Sequence, residues 1–481
     1  MRFVICLVSC VTFGANLAAQ TDQADPLHIG PVDVTGTIHE RYEDWDFFPS
    51  KGESSYGYSG SLIRVLFSHK EKSYDWGVEL AAPILLGIPD HAVVAAPQGQ
   101  LGLGGSYYAA NHNEQNSAFV FIKQAYVHLK GEHSSVKLGR YEFFDGGEVK
   151  PKDATLAIVK RDGIAQRLIG TFGFADVHRS VDGAVYAYAN GPWNFTVFSG
   201  IPDRGVFQVD GWGWVKTPFT YAALTRQEHW GRSNAEWRVF GIYYNDDRGV
   251  LKTDNRPAAV RAADPGAINI GTYGGHYIQA IPTAAGTIDL LGWGALQTGR
   301  WGVQTQRSGA GAVEGGFQPK IAQAVRPWVR GGYFYSTGDG NPNDGVHATF
   351  FALLPTPRVY ARFPFYNEMN NRDLFAYLML RPRKDLTFRT DVHGIWLANG
   401  HDLWYAGGGA FQPWTFGFSG RPANGSTGLA TIYDISADYQ MMRAVSLGLY
   451  FGYARGGAVV EHIFPAGRDA KFGYVEVNYQ F

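Results

Sequence analysis

Cysteine is nearly absent: the 481-residue chain has two, Cys6 and Cys10. Both fall within an N-terminal stretch that reads as a secretory signal, with Arg2 as the charge, an apolar core over residues 3–13 and small residues over 15–20. Beyond residue 20 the chain therefore carries no disulfide framework and no thiolate metal site. Methionine (5) and lysine (14) are scarce, against 61 Gly, 27 Tyr, 31 Phe and 13 Trp. That balance disfavours helices and favours strands and turns. No later run reaches the ~18 apolar residues of a transmembrane helix. A formal charge of −1 gives no electrostatic case for a nucleic-acid partner. Catalytic signatures are missing too, with no HExxH, no G-x-S-x-G and no P-loop lysine, so no enzyme, cofactor or metal centre is expected. The stretch Asp339 to Gly345 places oxygens as a calcium loop does at positions 1, 3 and 5. Position 6 is Asp344, not Gly, and position 12 is Phe350, not Glu. It reads as a turn-rich external loop, with a calcium staple as the alternative.

What is present is alternation. At the C-terminus Phe481, Tyr479, Val477 and Val475 share one parity, and Gln480, Asn478 and Glu476 share the other. The same pattern runs through residues 445–453, 433–440, 386–393, 374–380, 237–244, 184–199, 136–140 and 119–129. Short turns such as Arg383-Lys384-Asp385 and Asn190-Gly191-Pro192 alternate with long loops near 246–266 and 338–357. Aromatics fall at strand ends, as in Trp193, Trp237, Tyr453 and Phe481. There is no repeat of 40–50 residues to suggest propeller blades. The chain is all-β: one closed antiparallel transmembrane β-barrel with short periplasmic turns and long extracellular loops. At roughly 25 residues per strand and connection it has about 18 strands, with 16 as the alternative. The expected layout is a signal peptide over 1–20, a short lead over 21–33 and the barrel over 34–481. The final strand, Tyr474 to Phe481, has the form of the signal by which outer-membrane assembly machinery recognises its clients.

Arginine outnumbers lysine 28 to 14. The guanidinium group is always charged and forks onto carboxylates. Several ordered blocks carry a resemblance: Arg167-Leu168-Ile169-Gly170 with Arg179-Ser180-Val181-Asp182-Gly183, TIDLLGWGALQTGRWG over 287–302 with Glu314, STGDGNPNDGVHATFFALLPTPRVY over 336–360, NNRDLFAYLMLRPRKDLTFRTDVHGIWLA over 370–398, and Tyr405-Ala406-Gly407-Gly408. Together these resemble the alginate export family of Gram-negative outer-membrane barrels, from about Val34 to Phe481. The resemblance implies an 18-stranded barrel in the outer membrane, among its lipid and lipopolysaccharide. It also implies an arginine-lined electropositive constriction that passes an acidic exopolysaccharide of the alginate type, together with periplasmic export partners. It does not fix the polymer. A general or substrate-specific porin for small anions or sugars is the alternative.

The arginines assigned to that pathway are Arg41, Arg64, Arg161, Arg167, Arg179, Arg238, Arg330 and Arg389, with Asp391 beside the last. Arg64, Arg238, Arg330 and Arg389 alternate with apolar neighbours. Arg41 lies near the first strand, and Arg161, Arg167 and Arg179 lie in or beside the first block. The competing role for each is an interior salt bridge to a residue such as Asp391, Asp434, Asp438 or Glu476. Arg140 shares parity with Val136 and Leu138, which puts it at a strand end. A loop folding inward, either 246–266 or 338–357, is expected to gate the pore.

Overall fold

The computed structural model describes residues 26–481, so the expected signal peptide and the start of the lead lie outside the described residues. Eighteen long strands form one antiparallel ring. They are β1 (Val32–Asp46), β2 (Ser55–Lys70), β3 (Tyr74–Leu86), β4 (Phe121–Lys130), β5 (Ser134–Tyr141), β6 (Val181–Asn190), β7 (Trp193–Pro202), β8 (Phe219–Trp230), β9 (Ser233–Asp246), β10 (Ile268–Pro282), β11 (Gly286–Trp301), β12 (Gln304–Pro319), β13 (Trp328–Ser336), β14 (Asn371–Arg383), β15 (Leu386–Leu397), β16 (Gly428–Met442), β17 (Val445–Gly456) and β18 (Asp469–Gln480). Each pairs with its neighbour in sequence. β18 pairs back onto β1, from Thr37 opposite Gln480 to Asp46 opposite Lys471. The terminal strand therefore closes the ring, and no ladder edge is left open inside the bilayer. The short strands Leu27–Ile29, Ser117–Ala118 and Val346–His347 are appended to the ring.

Alternation sorts the side chains to two faces. On β9, Val239 and Tyr243 stand outward and exposed, while Arg238, Phe240, Ile242 and Tyr244 are buried inside. On β15, Phe388, Val392 and Trp396 face out, and Arg389, Asp391 and His393 face in. Large apolar side chains cover the outside, and the buried charged ones lie inside among apolar side chains of strands and loops, the pattern of a barrel solvated by lipid. Trp193 and Trp237 meet edge to face at 5.5 Å beside the turns at one end, and Tyr433 stacks on Tyr453 at 6.5 Å towards the other. These are the two depths at which a bilayer favours amphipathic rings.

The connections differ between the ends. At one end they are short: 71–73, 131–133, 191–192, 231–232, 283–285, 384–385 and 443–444, with 320–327 the longest. Gly191 and Gly231 take positive φ (58° and 61°), which two-residue hairpin turns demand. At the other end lie 47–54, 87–120 with α1 (Leu103–Ala110), 142–180 with α2 (Ala154–Gly163), 203–218, 247–267 with α3 (Ala258–Ala262), 337–370, 398–427 and 457–468 with α4 (Ala458–Ile463). The two-residue turn 302–303 is the exception at that end.

Two of these loops fill the lumen. Loop 142–180 descends from β5 almost to the short-turn end, where Asn234 Nδ2 donates to Asp153 Oδ2 at 2.9 Å and Gln318 Nε2 to Thr155 Oγ1 at 3.0 Å. There α2 begins, capped by the Asp153 carboxylate on the Leu156 N–H at 3.0 Å, and buries Leu156 and Val159. Loop 337–370 runs beside it: Leu354 N–H donates to Leu168 O, and Thr356 N–H to Gln166 O, both at 2.9 Å. The expected inward loop near 338–357 is thus present, but 246–266 is a correction. That segment stays at the mouth, where Asp254 accepts from Trp301 Nε1 at 2.8 Å and Arg248 donates to the carbonyls of Gln412 and Thr415. Its aspartates satisfy donors at the rim and give it no reason to descend.

Candidate channel constriction

The lumen-facing arginines of the strands are paired. Arg41 donates to Glu476 Oε2 from Nε at 3.0 Å and Nη2 at 2.8 Å, and its Nη1 reaches Phe174 O at 2.5 Å. Arg64 forks onto Glu79 at 2.9 and 2.7 Å and reaches Glu142 at 3.1 Å. Arg238 meets Glu148 at 3.2 Å and the Tyr221 hydroxyl. Arg330 lies between Asp289 at 2.8 Å and Glu314 at 3.0 Å. Arg389 donates from Nε to both oxygens of Asp391, at 2.8 and 3.0 Å. All five guanidinium groups and Asp391 are buried. A buried charge needs such a partner, because leaving water costs several kcal/mol per ion. The interior salt bridge weighed against a pathway role therefore describes the geometry of these side chains. Arg140 sits at the end of β5, paired with Asp182 at 2.6 Å.

The arginines on loop 142–180 behave differently. Arg167 is buried against Glu368, donates to Gly163 O at 3.0 Å and lies 3.8 Å over the Tyr360 ring. Arg179 meets no carboxylate. Its Nη1 donates to Gly170 O and Leu354 O at 2.9 Å, and its Nη2 to Gly408 O at 2.8 Å and Ala410 O at 3.4 Å. It therefore ties three loops together. Burial pulls its pKa down to about 10, so it remains charged at neutral pH. Arg161, in the last turn of α2, pairs with Asp162 at 2.6 Å and stays partly open to the lumen.

Three partly exposed cations were not among the expected pathway residues. Arg358 lies 3.5 Å over the Phe174 ring, with Tyr450, Phe472 and Tyr474 around it, and its terminal nitrogens are buried without a hydrogen-bond partner. Arg362 donates to Ser436 Oγ at 2.5 Å. Arg381 points inward near the short-turn end of β14, against Met379 and Trp328. Among the described residues, none of these three has a carboxylate in ion-pair range. Arg358 and Arg362 fall in or just after the quoted block 336–360, but they lie in a loop, where strand parity gives no facing. Parity did reach Arg381: it continues the inward set Asp373, Phe375, Tyr377 and Met379.

In the 339–345 loop, Asp339, Asn341 and Asp344 accept the backbone N–H two residues on, at 2.9, 3.1 and 2.9 Å. This is the turn-rich loop expected there, since Asx turns account for those oxygens.

A closed ring of eighteen antiparallel strands, apolar outside and charged inside, with loops folded into its lumen, is an outer-membrane channel. Within that class the chain belongs to the alginate export family, whose profile, described as alginate export, matches residues 105–463. It is a protein of the Gram-negative outer membrane, set among that membrane's lipids. Solved structures share the fold at low identity. OpdK from Pseudomonas aeruginosa has a TM-score of 0.56 at 10% identity, covering 94% of this chain and 98% of that one. OccAB2 from Acinetobacter baumannii has a TM-score of 0.57 at 9% identity, covering 94% and 98%. No curated protein matches the chain in sequence.

Proposed function

We propose that this channel passes an anionic exopolysaccharide of the alginate type, and that the cations meeting the polymer are chiefly those of the lumen loops and the short-turn end: Arg161, Arg358, Arg362 and Arg381. The observation that carries the reading is that Arg358, Arg362 and Arg381 lack a carboxylate partner and that Arg161, Arg362 and Arg381 are partly exposed, while the terminal nitrogens of Arg358 lie just beneath the surface. Arg41, Arg64, Arg330 and Arg389 spend their charge on wall carboxylates, Arg238 pairs with Glu148 of the inward loop, and Arg167 and Arg179 fix the loops. A polyuronate carries one carboxylate per sugar, and each needs a replacement for lost hydration in a narrow passage. Several weak sites in series allow the chain to leave as well as enter. The closing strand, ending at Phe481, is read as the segment that assembly machinery recognises.

A second reading, a porin for small anions, is favoured by how completely the two inward loops fill the lumen. Single-channel recording in a planar bilayer separates the two. Anion-selective reversal potential, with current blocked by mannuronate oligomers and not by neutral glucan, is expected. Replacing Arg358 and Arg362 together by Gln should move the reversal potential towards cations and weaken the block. Equal indifference to both sugars would leave the small-anion porin.

A further inference from the structure

Three buried side chains of adjacent strands converge on one point of the lumen wall: Asp391 and His393 of β15 and Asp434 of β16. One ligand atom from each lies within 4.8 Å of the others. Asp391 stands directly opposite Asp434 in the ladder, and like charges facing each other across strands are destabilising unless something lies between them. His393 Nδ1 is 2.9 Å from Asp373, so that nitrogen carries an N–H, and Nε2 is the nitrogen left for a metal to take in place of a proton. Nothing donates to Nε2, although His393 is only 1% exposed. Asp434 accepts the Tyr450 hydroxyl on Oδ1 at 2.7 Å, while its Oδ2 is buried without a partner. Arg389 donates to Asp391 and also lies 3.5 Å from Asp162, and the hydrogen bond of Arg362 goes to Ser436 rather than to either aspartate of the cluster. Two buried atoms of the cluster, His393 Nε2 and Asp434 Oδ2, are therefore left without a hydrogen-bond partner. Residue 452 is glycine, and a Cβ there would come within 2.8 Å of Asp434 Oδ1.

We propose that Asp391, His393 Nε2 and Asp434 Oδ2 form a divalent metal site in the channel wall, with further coordination positions open to water or to a carboxylate in the lumen. One imidazole and two carboxylates suit Zn²⁺, Mn²⁺ or Co²⁺ better than the all-oxygen preference of Ca²⁺ and Mg²⁺. Asp373 is the positioning residue: a carboxylate on the far nitrogen of a ligating histidine fixes its tautomer and orientation. The site does not depend on which solute the channel carries.

The test uses the refolded barrel, stripped of metal and then dialysed against Zn²⁺ with excess Ca²⁺, with bound metal counted by elemental analysis. One Zn²⁺ per chain is expected to be lost in His393→Gln and in Asp434→Asn. Asp373→Asn should weaken it by about 10- to 100-fold. Folding of each variant is checked by heat-modifiable gel migration. Zinc held equally by the wild type and both ligand variants is an adventitious ion only and overturns the proposal. If the variants do not fold, anomalous diffraction at the zinc edge decides on the wild type: a peak beside His393 Nε2 supports the site, and its absence refutes it.

Discussion

Arg179 is the side chain whose removal should most cleanly separate the channel's gate from its wall. It donates to four carbonyls on three loops, Gly170, Leu354, Gly408 and Ala410. Arg179→Met keeps much of the aliphatic volume and removes every donor. At about 1 kcal/mol net per hydrogen bond, the loss is about 4 kcal/mol, nearly a thousandfold in the docking equilibrium of these loops. The ring should be spared, because its ladders involve none of these groups and the closure of β18 on β1 lies elsewhere. The variant should therefore refold and show normal heat-modifiable migration. Its single-channel conductance should rise and flicker, and trypsin should cut after Lys160 and Arg161 far faster than in the wild type, where Lys160 is buried. Arg179→Lys should fall between, since one ammonium with three donors cannot span four carbonyls. A well-folded Arg179→Met barrel with wild-type conductance and wild-type protection from trypsin would refute the role assigned to this residue.

Three further outcomes test other parts of the structure. Glu476→Gln strands the buried Arg41 guanidinium and should cost about 3 kcal/mol or more in urea titrations of the folded barrel; adding Arg41→Met should recover much of it. Val239→Lys, on the outer face next to Arg238, should cost about 2–4 kcal/mol if it lies near the bilayer midplane, whereas an outward-facing Arg238 would make the substitution harmless. Asp203, just beyond β7, is held by the Ser180 N–H at 2.7 Å, and burial raises its carboxyl to about 7, against about 3.9 unfolded. The folded state therefore binds the extra proton between those values. Asp203 contributes its full stability below about pH 4 and loses it as pH rises through about 7. Asp203→Asn should flatten that part of the pH profile of loop protection measured by proteolysis; an unchanged profile would assign the dependence to another group.

The ring was legible because its rule is local. A period of two, read from Tyr479 and Val477 or from Phe388 and Val392, reports which side of a wall each residue faces, and it gave Arg389 and Arg238 their inward direction. It could not report what lies across the wall. Arg330 finds Asp289, 41 residues away, and Arg41 finds Glu476, 435 residues away, so the pairing of these arginines depends on register and closure rather than on any motif. The loops were less legible still. The descent of 142–180 depends on backbone bonds to residues 354 and 356 and on the Arg179 clamp, whose partners lie up to 231 residues off. No periodicity encodes such contacts.

Wall and loop contribute differently to selectivity. Within the wall, acids and arginines are placed together because each must offset the other's desolvation, so evolution can change the wall's net charge only by breaking pairs at a cost of several kcal/mol. A loop cation such as Arg358, stacked on Phe174 and free of a carboxylate partner, can be gained or lost with no such stranded partner. The residues that tune which anion passes should therefore concentrate on the inward loops, while the strand arginines record how the barrel stands. Exchanging loop 337–370 between two barrels of this family should then transfer anion preference with it, measured as the ratio of block by two different uronate oligomers. Transfer through wall residues alone, with the loops left in place, would show that the paired arginines act on solute after all.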